Sequence, residues 1–191
     1  MKEAGMALAP LAVSALALLT ERPMHPYEMY SLLLKRQEDE WLKLSPGTLY
    51  RTVERLVADG LAVVAGTERE GNRPERTTYA ITPEGEEALR TRLVELLRAP
   101  VREYPVLPFA LGEAHNLPAD LVVEQLTRHR ISLEARLHEL EQGLLDAASR
   151  GVEEAYLINV DFLRETVRAQ RDWLATLITR ITTKDLPWPT S

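Results

Sequence analysis

No cysteine occurs among the 191 residues. Disulfide frameworks, thiolate zinc sites, iron–sulfur clusters and cysteine nucleophiles are therefore excluded together, and the absence agrees with a reducing compartment. An excess of positive charge is missing as well: 23 Lys plus Arg face 29 Asp plus Glu, a formal net charge of −6. The chain as a whole does not attract nucleic acid or anionic lipid, so binding to either has to come from a local cluster of Arg and Lys. Nor is there a long hydrophobic run. The most apolar stretch, ALAPLAVSALALL at residues 7–19, is too short to span a bilayer. Glu3 ahead of it, Pro10 at its start and the periodic Leu11, Ala15, Leu18 and Leu19 fit a buried helix better than a cleaved signal. A cytoplasmic chain with no membrane partner is expected.

The usual marks of catalysis are also lacking. The chain contains no GxSxG elbow, no Walker lysine loop, no GxGxxG turn and no HExxH helix, each of which places a nucleophile, phosphate or metal by a fixed local geometry. Its histidines are His25, His115, His129 and His138. The last two are nine apart, about half a turn off one helical face, so they do not make an adjacent ligand pair. No catalytic residue, metal site or cofactor is expected, and the chain is read as a non-enzyme.

What is present is ordinary globular material, 45% hydrophobic with 27% charged residues of mixed sign, organised as two regions of different period. Residues 1–98 change period several times. A helix at about 8–20 ends before Pro23, and a second at about 26–37 starts with Pro26 in the first turn, where its missing N–H costs nothing. A third is the best defined: Ser45 is a good N-cap, Pro46 follows, and Leu49, Val53, Leu56 and Val57 recur at helical spacing until Gly60. The period then drops to two over Leu61 to Thr67 and Arg76 to Thr82, joined by the charged loop EREGNRPE. After Thr82 and Pro83, EGEEALRTRLVELLR is an amphipathic helix. Three helices, a hairpin and a further helix are the order of a winged helix-turn-helix.

Residues 99–116, with Pro100, Pro105 and Pro108, read as a linker holding at most one short turn of helix around Phe109 to Ala114. Residues 117–191 read as a helical domain. Val123, Leu126, Arg130, Leu133, Leu137, Leu140, Leu144 and Ala147 alternate spacings of three and four until Gly151. Tyr156, Val160, Leu163, Val167, Gln170, Leu174, Leu177 and Ile181 repeat the alternation. Two such helices of about 30 residues, roughly 45 Å each, predict an antiparallel coiled-coil hairpin. The dimerisation set is read as Leu126, Leu133, Leu137, Leu140, Leu144, Leu163, Val167, Leu174 and Leu177. Apolar Val122, Ile131, Ile158, Phe162, Trp173 and Ile178 lie off the seam, and a second copy of the chain is the simplest cover for them. Arg130 sits at an inward position and calls for an acidic partner. Trp173 and Trp188 are candidates for stacking a small-molecule effector, although packing is the commoner role of such residues; Trp188, between two prolines in the tail, is alternatively an anchor or disordered.

The fold class expected is thus mainly α with a small β-hairpin: an N-terminal winged helix-turn-helix and a C-terminal antiparallel coiled-coil dimerisation domain. On the third helix, turning Leu49, Val53, Leu56 and Val57 inward sends Gly47, Arg51, Glu54 and Arg55 outward, flanked by Thr48 and Tyr50. Arginines beside a small residue suit the DNA major groove, since Arg bonds two acceptors on guanine and Gly47 admits a close backbone approach. The N-terminus near Ser45, Gly47 and Thr48 suits a phosphate. The plain alternative pairs Arg51 with Glu54 and Arg55 with Asp59 on a solvated face. In the hairpin loop, Arg69, Arg73 and Arg76 stand among Glu68, Glu70 and Glu75, a neutral set for which solubility is the commoner use and contact with a minor groove the alternative.

The segments MHPYEMYSLLLKR, LSPGTLYRTVERLVADGL and NRPERTTYAITPEGEEAL resemble, in order and spacing, the N-terminal domain of the PadR family of bacterial transcriptional regulators, over about residues 8–90. Pro26 stands where that family usually has Gly after His25, and Arg51 and Thr52 where many members have Pro and Ala. The resemblance implies a dimeric, sequence-specific DNA-binding regulator, usually a repressor, of the subgroup with the larger C-terminal helical domain. By resemblance, Tyr27, Ser45, Thr48, Tyr50 and the wing Arg73 contact DNA; Lys43, Gly47, Arg51, Arg55 and Arg76 join them from their positions. The partners implied are double-stranded DNA bearing a pseudo-palindromic operator, a second copy of the chain, and a small-molecule effector. A different reading is a dimeric coiled-coil interaction module that does not bind DNA. Residues 1–98 hold 13 basic against 15 acidic residues, so only segregation of Lys43, Arg51, Arg55 and Arg73 on one side separates the two.

Overall fold

Helix α1 (Pro10–Glu21) buries Ala12, Val13, Ala15, Leu16, Leu18 and Leu19, which lie around most of its circumference rather than along one stripe. It is the central helix of its unit, packed against α3, α4 and the second strand. A helix apolar on nearly all sides has to be enclosed in this way. Helix α2 (Pro26–Lys35) contributes Met29 and Leu33, and α3 (Pro46–Ala58) contributes Leu49, Val53 and Leu56. Each such fully buried aliphatic side chain is worth about 1.5–3 kcal/mol of transfer free energy, and together with Met24, Ala62 and Leu89 they form one continuous core.

The structure, a computed structural model, describes residues 8–68, 76–100 and 102–189. Contacts divide the chain into two units, residues 1–102 and 103–191. In the first, α2 is two residues shorter than its pattern suggests. Gln37 takes a left-handed φ of 59°, which turns the chain into a 3-10 turn at Glu38–Glu40. Helix α3 keeps its expected limits: Gly60, at φ 74°, bonds back to the Val57 carbonyl while Leu61 N–H reaches Leu56 at 2.8 Å, a Schellman closure that needs a residue without a Cβ penalty at its turn.

Strands β1 (Ala62–Glu68) and β2 (Arg76–Ile81) pair antiparallel, Ala62 opposite Ile81, with a bulge between Val64 and Gly66. Met24 adds a third, single-residue rung: its N–H and C=O pair with Tyr79 at 3.0 and 3.1 Å. Periodicity cannot reveal a one-residue bridge. Helix α4 (Pro83–Arg98) then starts on Thr82, whose Oγ1 accepts from Gly85 N–H at 3.0 Å and donates to the Gly60 carbonyl at 2.8 Å. One hydroxyl thereby ties the end of the wing to the end of α3.

In the second unit the region expected to be linker carries α5 (Val106–Glu113) and a 3-10 turn at Ala114–Asn116. Pro108 is tolerated because it falls in the first turn of α5, where no intrahelical donor is lost. Leu111 and Ala114 pack onto the second core, so residues 106–116 are part of that unit. Helices α6 (Ala119–Ser149) and α7 (Ile158–Thr182) form the hairpin. Gly151 closes α6 at φ 73°. The second helix is shorter than its heptads imply, because residues 154–156 form a separate 3-10 turn and Tyr156 lies exposed outside the stripe.

The hairpin corrects part of the dimerisation set. Leu126, Leu137, Leu140 and Leu174 are buried within the chain's own α6 and α7, so none of them presents a face to a second copy. Leu133, Leu144, Leu163, Val167 and Leu177 are half-buried. Of the side chains expected off the seam, Val122 is also buried and Ile178 packs against the core, whereas Ile131, Ile158, Phe162 and Trp173 are exposed. Arg130 does have an acidic partner, Glu134 at 3.1 Å, but one turn along its own helix. One ion pair that does cross the hairpin is Arg168 to Glu141 at 3.0 Å. Trp188 anchors the tail, donating from Nε1 to the Leu117 carbonyl at 2.8 Å.

Candidate nucleic-acid interface

The N-terminus of α3 is held by a reciprocal cap. Ser45 Oγ accepts from Thr48 N–H at 3.2 Å while Ser45 N–H donates to Thr48 Oγ1 at 3.1 Å. Thr48 Oγ1 also lies 2.8 Å from both the Ser45 carbonyl and Ser45 Oγ. Its single proton is thus used inside the cap; when that proton goes to the Ser45 carbonyl, the Ser45 hydroxyl proton bonds Thr48 Oγ1 and has to turn from it to reach an incoming phosphate oxygen. Of two hydroxyls expected to contact DNA, the structure commits Thr48 to building the helix end.

Beyond the cap, the exposed positions of α3 include Gly47, Tyr50, Arg51, Glu54 and Arg55. Leu49, Val53 and Leu56 are buried opposite, so the helix presents the face its spacing predicts. The two arginines on that face behave differently. Arg55 Nε sits 3.7 Å from Asp59, a loose exposed pair of small energetic weight. Arg51 forms no ion pair among the described residues, Glu54 included, so its guanidinium keeps its donors for a ligand. The solvated-face alternative therefore holds for one arginine and fails for the other. Lys43 is exposed just before the cap.

Two tyrosines each contact His25, Tyr27 through its backbone N–H and Tyr50 through its ring. His25 is the N-cap of α2: its Nδ1 accepts from Tyr27 N–H at 3.1 Å. Its ring also packs edge-on against Tyr50, centroids 5.8 Å apart and planes at 78°. Tyr27 and Tyr50 remain 59% and 38% exposed. Behind them Arg22 pairs with Glu28, which pulls that carboxyl below its ordinary range chiefly through the guanidinium hydrogen bond. Arg36 does the same for Glu21 in a bidentate pair at 2.7 and 2.9 Å. These pairs join the ends of α1 and α2 and hold α2 against its neighbours.

On the wing, Arg76 is the first residue of β2, its backbone opposite Glu68. Arg73, with the rest of loop 69–75, lies outside the described residues. The structure thus places Tyr27 at the start of α2, Ser45, Gly47, Thr48 and Tyr50 at the start of α3, Arg51 one turn further on, and Arg55 in the last turn of α3. His25 is the participant that sequence reasoning passed over as a failed metal ligand; its place directly before Pro26, at a helix start, was the available signal. Among the described residues no group of His, Asp and Glu side chains could hold a metal, and no helix is long and apolar enough to cross a membrane.

In the second unit, Leu107 of α5 and Phe162, Glu165, Thr166, Ala169, Gln170 and Trp173 of α7 line an open, largely apolar groove of about 570 Å³. Trp173, the candidate effector residue, is one of its walls.

Residues 15–91 match the profile of the transcriptional regulator PadR-like family. No curated protein is significantly similar to the chain. Among solved structures, the chain is similar to Bacillus subtilis PadR in complex with operator DNA, with a TM-score of 0.79 at 15% identity over 91% of this chain and 99% of that one. The structure of Bacillus subtilis PadR in complex with p-coumaric acid gives 0.75 at 16% identity over 90% and 98%. A PadR-like transcriptional regulator from Bacillus cereus gives 0.65 at 16% identity over 91% and 99%. At these identities the likeness is one of fold.

Proposed function

We propose, from the match of residues 15–91 to the PadR-like family of transcriptional regulators, that this chain is not an enzyme but a cytoplasmic, homodimeric, sequence-specific DNA-binding repressor. The observation that carries the reading is the outer face of α3, where Arg51, which has no ion-pair partner among the described residues, stands one turn after Gly47 and a reciprocally capped helix start. A fixed helix end with free N–H groups takes a phosphate, and an unpaired Arg one turn later reaches a base edge. That a protein of the same fold is found with operator DNA supports the same use here.

The dimer rests on a separate observation. Ile158, Phe162 and Trp173 lie exposed along α7, Phe162 at 69% and Trp173 at 52%, and a two-fold contact would cover them with the same patch of a second copy. The groove beside Trp173 suits a flat apolar effector, whose stacking would compete with or reshape that contact. The effector's identity is open to a direct screen, with p-coumaric acid, found in the Bacillus subtilis structure, as one compound to include.

The test is selection of DNA from a random pool at fixed ionic strength, followed by anisotropy titration. The dimer should enrich a pseudo-palindrome with half-sites about one helical turn apart or a multiple of it. Arg51→Ala should cost about 1–3 kcal/mol and relax preference at one position per half-site. Failure to enrich any sequence, with affinity no tighter than about 10⁻⁴ to 10⁻⁶ M, would leave the non-DNA interaction module as the function.

A further inference from the structure

The His25 side chain touches two elements at once. Its Nδ1 takes the first free N–H of α2, from Tyr27, at 3.1 Å, and its ring edge contacts Tyr50 on α3. Accepting at Nδ1 requires that nitrogen to be unprotonated, so the neutral ring carries its proton on Nε2. The cap fixes the orientation of the imidazole, and a fixed imidazole is a wall for the Tyr50 ring. Tyr50 is otherwise a partly exposed side chain with two free torsions, and immobilising such a side chain on binding reduces affinity by about two- to tenfold. A phenol already held against a neighbour in the free protein avoids that loss.

We propose that His25 is a positioning residue for nucleic-acid binding: by packing edge-to-face on Tyr50 it pre-orders the Tyr50 phenol on the α3 face for a backbone phosphate. The inference rests on the DNA-binding reading above and adds a residue outside the third helix to it. His25 has two separable functions, and two substitutions separate them. Asn is among the best N-cap residues, so His25→Asn keeps an acceptor for Tyr27 N–H and removes the ring. His25→Phe keeps a ring against Tyr50 and removes the acceptor.

Full-length wild type, both variants, Tyr50→Ala and the two double variants are titrated against the DNA selected by the wild type, with thermal unfolding followed in parallel. His25→Asn should weaken binding about three- to tenfold, the range of an edge-to-face pair, with little change in unfolding midpoint. His25→Phe should bind within twofold of wild type while unfolding at a lower temperature. In the Tyr50→Ala background, His25→Asn should have no further effect on affinity. One variant thus loses affinity without stability and the other stability without affinity, a separation that a purely structural histidine cannot produce. If the wild type binds selected DNA and affinity instead follows stability, or both variants bind like wild type, or the His25→Asn loss persists without Tyr50, the positioning role is refuted. If the wild type selects no DNA, the DNA-binding reading itself fails.

Discussion

Replacing Gly85 by Ala tests the junction that aims the wing. A Cβ at this position would lie 2.1 Å from the Leu61 carbonyl oxygen, 2.9 Å from Ile81 Cγ1 and 3.0 Å from the Leu61 carbonyl carbon. The nearest obstacle is backbone, and it is pinned: the Leu61 carbonyl accepts from Thr82 N–H at 3.2 Å. Relief requires moving α4 away from the end of α3 by about 1 Å, which stretches the Thr82 bonds to Gly60 and Gly85 as well. Overpacking costs about 1–3 kcal/mol in side-chain cores and more where backbone must shift, so about 3 kcal/mol is the gross expectation. Against this, Ala in a helix gains up to about 1 kcal/mol over Gly. The net is a destabilisation of about 2 kcal/mol or more. Urea unfolding read by circular dichroism measures it as a lower midpoint at unchanged slope. A loss below about 0.5 kcal/mol would show that α4 is free to move and that the close approach is not a constraint.

Gly47→Ala is the matching opposite case: its Cβ would meet only Arg51 Nη1 at 3.9 Å, so stability should hold or rise by up to about 1 kcal/mol, while affinity for selected DNA falls if backbone closeness matters; unchanged affinity would remove Gly47 from the interface. Burial is the main cause that holds the Glu38 carboxyl above its ordinary range, opposed by a hydrogen bond from Ser14 and by Arg36. Its folded form therefore binds a proton more tightly than the unfolded chain does, a contribution present at low pH and lost as pH rises through the folded value. Glu38→Gln should accordingly stabilise at neutral pH, with the gain vanishing below the ordinary Glu range of about 4.3; an equal gain at pH 7 and pH 3 would contradict the assignment. Glu21 and Glu28, shifted down by Arg36 and Arg22, act with the opposite sign, so Glu21→Gln should cost stability at neutral pH and cost nothing once pH falls through the folded carboxyl value. Trp188→Phe removes the donor to Leu117 and should lower the second unit's stability by about 0.5–1.5 kcal/mol, measurable by unfolding the full chain with tryptophan-independent detection.

Much of the architecture was legible because it depends on near neighbours in the chain. Ser45-Pro46 before an amphipathic run and Gly60 after it delimit α3 within the sequence itself, since caps and left-handed turns act over four residues. The outward set Gly47, Arg51 and Arg55 follows from 100° per residue once the buried face is known. Where local rules compete, the sequence was less decisive: Gln37 is not a glycine, so the early end of α2 was not visible, and Pro108 looked like a breaker although a first-turn proline is none.

Contacts between distant segments were decided only in three dimensions. Residues Met24 and Tyr79 share a rung 55 positions apart, Gly85 is required by the Leu61 backbone, and His25 meets Tyr50 across two helices. Composition and period carry no record of such pairs, because each depends on how helices are placed once their apolar faces have been buried. The same holds for charge. The chain names Arg51 and Arg55 alike, and only the folded arrangement sets Asp59 within 3.7 Å of Arg55 while giving Arg51 no ion-pair partner among the described residues. Hydrophobic pattern determines which faces turn inward over a few residues; which outward-facing groups neutralise, brace or leave one another open is set by tertiary distances, over which electrostatic and packing energies change within an ångström.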